Sequence, residues 1–399
     1  MIKVGVIFGG ETVEHEVSII TAVQAMSFMD TKKYEVVPIY ISKDRKWYCG
    51  EALKDMASYK DLANVPSLSK EVTLTKRGDK FILQKKNGLF RNTFETIDVA
   101  FPIVHGKGVE DGSLSGYLES LGIPYVGPSM LGASIGQDKV VQKQVLSASS
   151  VPVVDYVWFY DHEYQEKEEE ILSDIKKLGY PVIIKPARLG SSVGISVAKN
   201  LDELKDAIEE AIKYDQKIIV EKMVDNLTEV DCAVLGNYEN MECSLIGEML
   251  TNNDFLTFED KYLGDGKSKK GAKSSNAGGK VSTSGFRIPA ELDKDIEEQV
   301  YRYSKEAFRA LNLSGVTRFD FLIDKKNKKV YVNEPNTIPG CLAFFFYTPK
   351  GKKYPKLLDE LITLAIRDYK AGKKKVTSFD SNVLSTYDGA KGAKGKMQP

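Results

Sequence analysis

The sequence is short of the residues that build redox and metal centres. Its 399 residues include only four cysteines and three histidines. Cys49, Cys232, Cys243 and Cys341 contain no Cys-x-x-Cys pair, so the common zinc and dithiol motifs are excluded. Isolated reduced thiols of a cytosolic protein are the expectation. An excess of charge is also missing, since 56 Lys plus Arg balance 56 Asp plus Glu. The overall composition therefore gives no footprint for nucleic acid or an anionic membrane, and any anion site has to be local. No run approaches the roughly 20 apolar residues of a membrane span. The opening MIKVGVIFGG has neither the apolar core nor the cleavage site of a signal peptide. These absences point to a cytoplasmic protein with no nucleic-acid partner and no membrane insertion. No repeat of 20 to 50 residues, the solenoid signature, is visible either.

What is present suits a large packed core. Hydrophobic residues make up 42% and charged residues 28%, and the length fits two or three domains at about 150 residues each. Apolar β-branched runs at 4–8, 36–41 and 98–104 alternate with helical spacing, notably Leu114, Tyr117, Leu118 and Leu121. That alternation predicts a mostly parallel sheet with flanking helices. Residues 73–85 alternate around Arg77-Gly78-Asp79, a hairpin signal. A second unit opens near residue 130. It carries a helix over 138–148, a strand over 181–185 and a capping-box pattern at Asn200 and Glu203. The third has strands at 229–235 and 243–250, then a Gly-, Ser- and Lys-rich stretch, 264–285, which lacks apolar anchors and is expected to be a mobile loop. A long helix follows, with Ile296, Val300, Tyr303, Ala307 and Leu311 on one face. A hairpin at 317–323 and 329–334 and a helix over 355–369 complete it. The predicted organisation is 1–128, 129–221 and 222–372, with the loop inside 255–286 and a tail over 373–399.

Several motifs could carry chemistry. Asp320 lies on one strand of the last hairpin, and Glu334 and Asn336 lie two apart on one face of the other. Their hard oxygens suit Mg²⁺ bound to nucleotide phosphates, with Arg318 available to a developing oxyanion. Alone, the pattern equally describes the solvated end of a hairpin. Lys185 ends a buried strand and enters the loop KPARLGSSVG, residues 185–194. Such a loop offers N–H groups to phosphate, though no Gly-Lys-Ser/Thr makes it a Walker A loop. The stretch HGKGVEDG, residues 105–112, ends an apolar strand, where open α/β sheets place ligands. Glu14-His15-Glu16 does not have the spacing of a zinc box. A glutamate beside a helix start suits an amine or a hydroxyl.

The order of these motifs resembles the D-alanine–D-alanine ligases of the ATP-grasp superfamily. The resemblance runs from Gly9-Gly10 and Glu14-His15-Glu16-Val17-Ser18 through HGKGVEDG, Asp138-Lys139, the 185–194 loop, IVEKMV at 219–224 with Glu229, Asp260-Lys261-Tyr262 and Arg318 with Asp320 to NEPNTIPG at 333–340. It implies a three-domain α/β fold: an N-terminal parallel α/β domain, then two α+β domains that sandwich ATP. It also implies two Mg²⁺ or Mn²⁺ ions held by Asp320, Glu334 and Asn336. Lys139, Lys185, Ser191, Ser192 and Lys261 would serve the phosphates, and Glu221, Met223, Val224 and Glu229 the adenine and ribose. Glu14 would meet the ammonium of the first amino acid and His105 its carboxylate. Arg318 and backbone amides at Gly340 would stabilise the tetrahedral intermediate. Glu14, Ser191 and Tyr262 would form a hydrogen-bonded trio across the closed site, and a tyrosine there implies a dipeptide rather than an ester product. The implied activity is ATP-dependent joining of two D-alanines for peptidoglycan, by a homodimer that pairs through its N-terminal domain. A related ligase with another amino-acid or peptide acceptor, and a non-catalytic nucleotide-binding protein, are the alternatives. One departure stands out. Phe345 falls where the family carries a serine for the acceptor carboxylate.

Overall fold

A computed structural model describes residues 1–86, 93–250, 285–382 and 385. The described residues form three sheets. The first has seven strands: β1 (Ile2–Gly9), β2 (Tyr34–Ile41), β3 (Trp47–Cys49), β4 (Lys70–Arg77), β5 (Lys80–Lys85), β6 (Thr93–Ile97) and β7 (Val99–Ile103), in the order β6-β5-β4-β3-β2-β1-β7. β1 pairs in parallel with β2 and β7, as β-α alternation predicts. The four strands β3 to β6 pair antiparallel, so the parallel part is narrower than the alternation implies. The reason is local. Short links such as Gly78-Asp79 between β4 and β5 can join only antiparallel neighbours, whereas parallel neighbours need a crossover of a dozen residues or more. Helix α1 (His15–Phe28) supplies the crossover from β1 to β2. At Gly9, where φ is +92°, an added Cβ would lie 2.2 Å from the Ile41 carbonyl oxygen, so the chain turns there only because no side chain is present.

Helices α2 (Ser113–Leu121), α3 (Met130–Gln137) and α4 (Lys139–Ala148) lead to the second sheet. Asp138 caps α4 by accepting from the Val140 and Val141 amides at 3.0 and 3.1 Å. This sheet holds β8 (Tyr156–Tyr160), β9 (Val182–Pro186), β10 (Ser196–Ala198) and β11 (Lys217–Lys222) in the order β10-β9-β11-β8, all antiparallel. Helices α5 (Asp161–Glu166), α6 (Glu168–Leu178) and α7 (Leu201–Ile212) belong to the same region, and α6 and α7 bury their apolar stripes against it. Asn200 caps α7 as its sequence pattern predicts, accepting from the Glu203 amide at 3.0 Å.

The third sheet contains β12 (Leu227–Gly236), β13 (Met241–Met249), β14 (Phe286–Arg287), β15 (Gly315–Asp324) and β16 (Lys329–Asn336), ordered β14-β13-β12-β15-β16. Helix α8 (Lys294–Ala310) covers it with Ile296, Val300, Ala307 and Phe308. Cys232 and Cys243 are not isolated. Antiparallel pairing of β12 and β13, with a bulge between Cys232 and Val234, brings the two buried thiols into a shared hydrogen bond. A short helix, α9 (Phe344–Tyr347), precedes α10 (Tyr354–Gly372). The sequence groups α10 with the C-terminal unit, yet its Leu357, Leu358, Leu361 and Ile362 enter the core of the first sheet. Tyr34 on β2 donates to Asp359 of α10 at 2.7 Å. The last helix thus returns to the first sheet and braces the C-terminal unit against it.

Candidate functional site

A cavity of about 1000 Å³ opens where the second and third sheets face each other beneath the loops of the first. Lys139, Lys185, Ser191, Ser192, Met223, Val224 and Glu229 line it. Glu14, His105, Arg318, Asp320, Glu334, Asn336 and Gly340 line it as well. Of the residues singled out in the sequence, Glu221 does not reach this surface, and Lys261, Tyr262 and most of the 255–286 stretch lie outside the described residues.

Glu221 instead sits behind the wall, sealed between two lysines. Antiparallel pairing of β11 with β9 sets Glu221 near Lys185, whose ammonium donates to its Oε2 at 2.7 Å. Lys143, fully buried on α4, approaches Oε1 at 3.1 Å and donates to the Asn333 carbonyl at 3.1 Å. Burial alone would push the Glu221 carboxyl up, but Lys143 and Lys185 override it and hold it down at about 2. Burial pulls the Lys143 ammonium below its ordinary value, against the attraction of Glu221. On Lys185 the same burial is overcome by Glu221, and the ammonium is held up. Sequence motifs missed Lys143. Its signal was its place four residues after Lys139, which puts both lysines on one face of α4.

Above this layer the phosphate-loop candidate is already tied down. Ser191 and Ser192 adopt left-handed φ of 53° and 59°, a costly conformation outside glycine that is typical of ligand sites. The Ser191 hydroxyl donates to the Glu14 carboxylate across 177 residues of sequence. Two members of the expected trio are therefore in contact. Lys139 donates to the Leu189 carbonyl of the same loop at 2.7 Å and pairs with Glu334 at 3.1 Å.

The last hairpin brings its oxygen donors together through register. Asp320 pairs with Glu334 and Arg318 with Asn336 across β15 and β16. Arg318 donates to both Asp320 oxygens at 2.7 and 2.9 Å and lies 3.2 Å from Asp231. The Asn336 amide donates to Asp320 at 3.1 Å. The two carboxylates that this hairpin presents to the cavity are each held by a cation, Asp320 by Arg318 and Glu334 by Lys139. The hard oxygens of Asp320, Glu334 and Asn336 are the donor type that a divalent ion takes, and an ion entering there has to displace Arg318 from Asp320 and Lys139 from Glu334.

On the amino-acid side His105 is buried and its ring bonds the Ile338 backbone. Burial drives it toward the neutral form, opposed by Glu14. Its Nε2 is buried without a hydrogen-bond partner among the described residues, which marks a position for a polar group of a ligand. Beside it, Glu110 accepts from the Gly106 amide at 2.9 Å, the Thr337 hydroxyl at 2.9 Å and the Ile338 amide at 3.1 Å. Burial and the nearby Glu14 carboxylate push its carboxyl up to about 7. Glu110 was visible in the sequence only as one letter of HGKGVEDG. The far wall is apolar. Phe345 reaches the cavity beside Phe286, with ring centroids 5.9 Å apart.

Comparison with known proteins gives the family. The family described as D-ala D-ala ligase N-terminus matches residues 3–128, and D-ala D-ala ligase C-terminus matches residues 145–363. The chain belongs to the D-alanine–D-alanine ligase family. Its relatives include the D-alanine–D-alanine ligase of Thermosipho melanesiensis, 38% identical over 385 residues, or 96% of this chain and 98% of the relative. Among solved structures, the Coxiella burnetii D-alanine–D-alanine ligase superposes with a TM-score of 0.76 at 28% identity, covering 94% of this chain and 96% of that one. The VanG D-Ala:D-Ser ligase of Enterococcus faecalis gives 0.75 at 29% identity, covering 91% and 99%. The Bacillus anthracis D-alanine–D-alanine ligase complexed with ATP gives 0.64 at 25% identity, covering 93% and 100%. The ligase family's N-terminal match contains the sheet that delivers Glu14, His105 and Glu110. Its C-terminal match contains Lys185, Ser191 and the Arg318–Asn336 hairpin. Lys139 and Lys143 fall in the stretch between the two matches.

Proposed function

We propose that this chain joins two D-alanines into D-alanyl-D-alanine, with ATP cleaved to ADP and phosphate, in the supply of peptidoglycan precursors. The observation that carries the reading is a single cavity in which phosphate-directed lysines, an oxygen donor set and an orphaned buried histidine nitrogen converge. ATP would lie along the Lys139 and Lys185 side, its base toward Met223 and Val224 and its ribose toward Glu229. With Glu221 behind the wall and bound by Lys143 and Lys185, its reach toward the base depends on Lys185 turning away to a phosphate. Asp320, Glu334 and Asn336 would hold Mg²⁺ or Mn²⁺, which supplies charge neutralisation for the phosphates.

The donor amino acid would place its ammonium at Glu14 and its carboxylate near His105, whose Nε2 has to gain a proton to donate to it. Transfer of the γ-phosphoryl group to a carboxylate oxygen gives an acyl-phosphate and ADP. The amine of the second amino acid attacks its carbonyl carbon, loses a proton, and inorganic phosphate leaves. Arg318 and the amides at Gly340 face the oxyanion formed in that attack. The Ser191–Glu14 bond joins the phosphate loop to the donor site, and Tyr262 is the residue proposed to complete that link and help exclude water from the acyl-phosphate. Ser192 and Lys261 are assigned to the phosphates, and a cytoplasmic homodimer is the proposed assembly.

The test is to give the purified protein ATP, Mg²⁺ and a panel of D- and L-amino acids while ADP and dipeptides are measured. D-alanyl-D-alanine as the main product is expected, and ADP release with no D-alanine-containing product overturns the reading. A second reading, a different acceptor such as D-serine, draws on the aromatic wall at Phe345 and Phe286. A mixed dipeptide formed in preference to D-alanyl-D-alanine would select it.

A further inference from the structure

Glu110 takes no part in the chemistry just described, yet it stands half-buried in the cavity wall where the proposed donor site meets the proposed oxyanion site. A carboxyl partly removed from water is costly unless donors meet it. Here two of its three donors come from the far end of the chain. Thr337 and Ile338 both reach Oε1, at 2.9 and 3.1 Å, from 227 and 228 residues away. Oε2 accepts from Gly106, whose carbonyl in turn accepts from the Glu110 amide at 2.8 Å. The loop that carries His105 is thus closed on itself and fastened to the segment between Asn336 and Gly340. The His105 ring adds a bond to the Ile338 backbone.

We propose that Glu110 is a positioning residue: its carboxylate clasps Thr337 and Ile338 to the 105–110 loop, so that His105 and the Gly340 amides are set in register around the amino-acid carboxylate. The clasp deepens the ligase reading and rests on it for its kinetic consequence. It touches none of the lysines assigned to ATP. Loss of the clasp therefore separates the two substrates. A general loss of structure would raise both Michaelis constants together.

The test compares Glu110→Ala, Glu110→Asp, Thr337→Val and the double variant Glu110→Ala/Thr337→Val with the unmodified chain, in two measurements. In kinetics, Glu110→Ala is expected to lower kcat/KM for D-alanine about ten- to a hundredfold, the range of a lost charge-assisted hydrogen bond. KM for ATP should stay within about twofold, and Glu110→Asp should recover part of the loss. Thr337→Val is expected to cost less, about threefold, and to add nothing once Glu110 is gone, because both changes remove the same contact. In hydrogen exchange, which needs no substrate, Glu110→Ala should speed exchange of the Gly106 and Ile338 amides together. Unchanged exchange at both amides overturns the clasp whatever the substrate proves to be. Faster exchange with unchanged D-alanine constants, or equal losses for ATP and D-alanine, overturns its positioning role while leaving the ligase reading intact. If Glu110→Ala fails to fold, Thr337→Val carries both measurements, with faster exchange at Ile338 expected and an unchanged rate overturning the proposal.

Discussion

The two walls of the cavity are built on opposite principles. The wall proposed for the nucleotide is a layer of buried charge in which Lys143, Glu221 and Lys185 neutralise one another behind the surface, and Lys139 and Arg318 hold Glu334 and Asp320 at it. The wall proposed for the acceptor is apolar and turns on backbone shape. Phe286 and Phe345 face the cavity, and the turn before α9 holds Cys341, Leu342 and Ala343 in left-handed conformation, with φ of 51° to 52°. The first wall depends on partners, since removal of one charge strands another. The second depends on geometry, and each change there should act locally and on one substrate.

The largest effect should come from stranding a charge. Lys143→Met leaves one Glu221 oxygen facing a hydrocarbon in a fully buried place. A loss of about 3–5 kcal/mol in unfolding free energy is expected, read by denaturant titration. A loss below about 1 kcal/mol would mean that the buried layer does not behave as a charge network. Acid should expose the same dependence. The Glu221 carboxyl is held at about 2 in the fold against an ordinary 4.5. A lowered carboxyl contributes stability that is present above the ordinary value and lost as the pH falls through the folded one. The chain should therefore weaken between about pH 4.5 and 2, and Glu221→Gln should flatten that part of the profile.

Next in size is the surface of the charged wall. Glu334→Gln keeps the shape and removes one anionic oxygen from the proposed metal set. Turnover is expected to fall by about a hundredfold or more, with partial recovery at raised Mg²⁺ concentration. Near-normal rates in the ADP assay would remove Glu334 from that set.

These two residues also show what the sequence could reveal. Glu334 was readable because β-strand alternation alone places it beside Asn336, and hairpin pairing brings Asp320 opposite. Lys185 and Ser191 were readable because a strand that ends in a lysine and a Gly/Ser loop is a local pattern. Lys143 and Glu110 were not, because their meaning lies in partners on other elements. Nothing near Glu110 in the chain announces Thr337. The antiparallel extension β3 to β6 was half legible: the hairpin at Arg77-Gly78-Asp79 was visible, while the pairing of its neighbours depended on tertiary contacts. The return of α10 to the first sheet was likewise beyond periodicity, which shows that a helix has an apolar face but not what covers it.

On the acceptor wall the expected effects are smaller and selective. Phe345→Ser opens the aromatic wall and places there the hydroxyl that the family resemblance led one to expect. The KM for the second amino acid should shift by about tenfold, a change of one side chain's contact energy, while the KM for ATP stays put. An equal change in both would show that Phe345 braces the whole cavity.

The smallest effect tests the turn that aims this wall. A left-handed residue other than glycine costs about 1–2 kcal/mol, and three in succession persist only where their surroundings hold them. The holders are specific. Leu342 and Ala343 are buried, the Leu342 amide donates to the Pro339 carbonyl at 2.8 Å, and the Cys341 amide donates to Thr21 of α1 at 3.3 Å. Thr21→Val preserves volume and removes that last acceptor. The bond is long and only one of several restraints, so the KM for the acceptor should rise by about two- to threefold, the effect of one weak neutral hydrogen bond. Because α1 also begins at Glu14, the donor constants serve as the internal control. If the ATP and donor constants move as far as the acceptor constant, α1 is transmitting a general shift, and the contrast between a wall of partnered charge and a wall of local backbone shape fails.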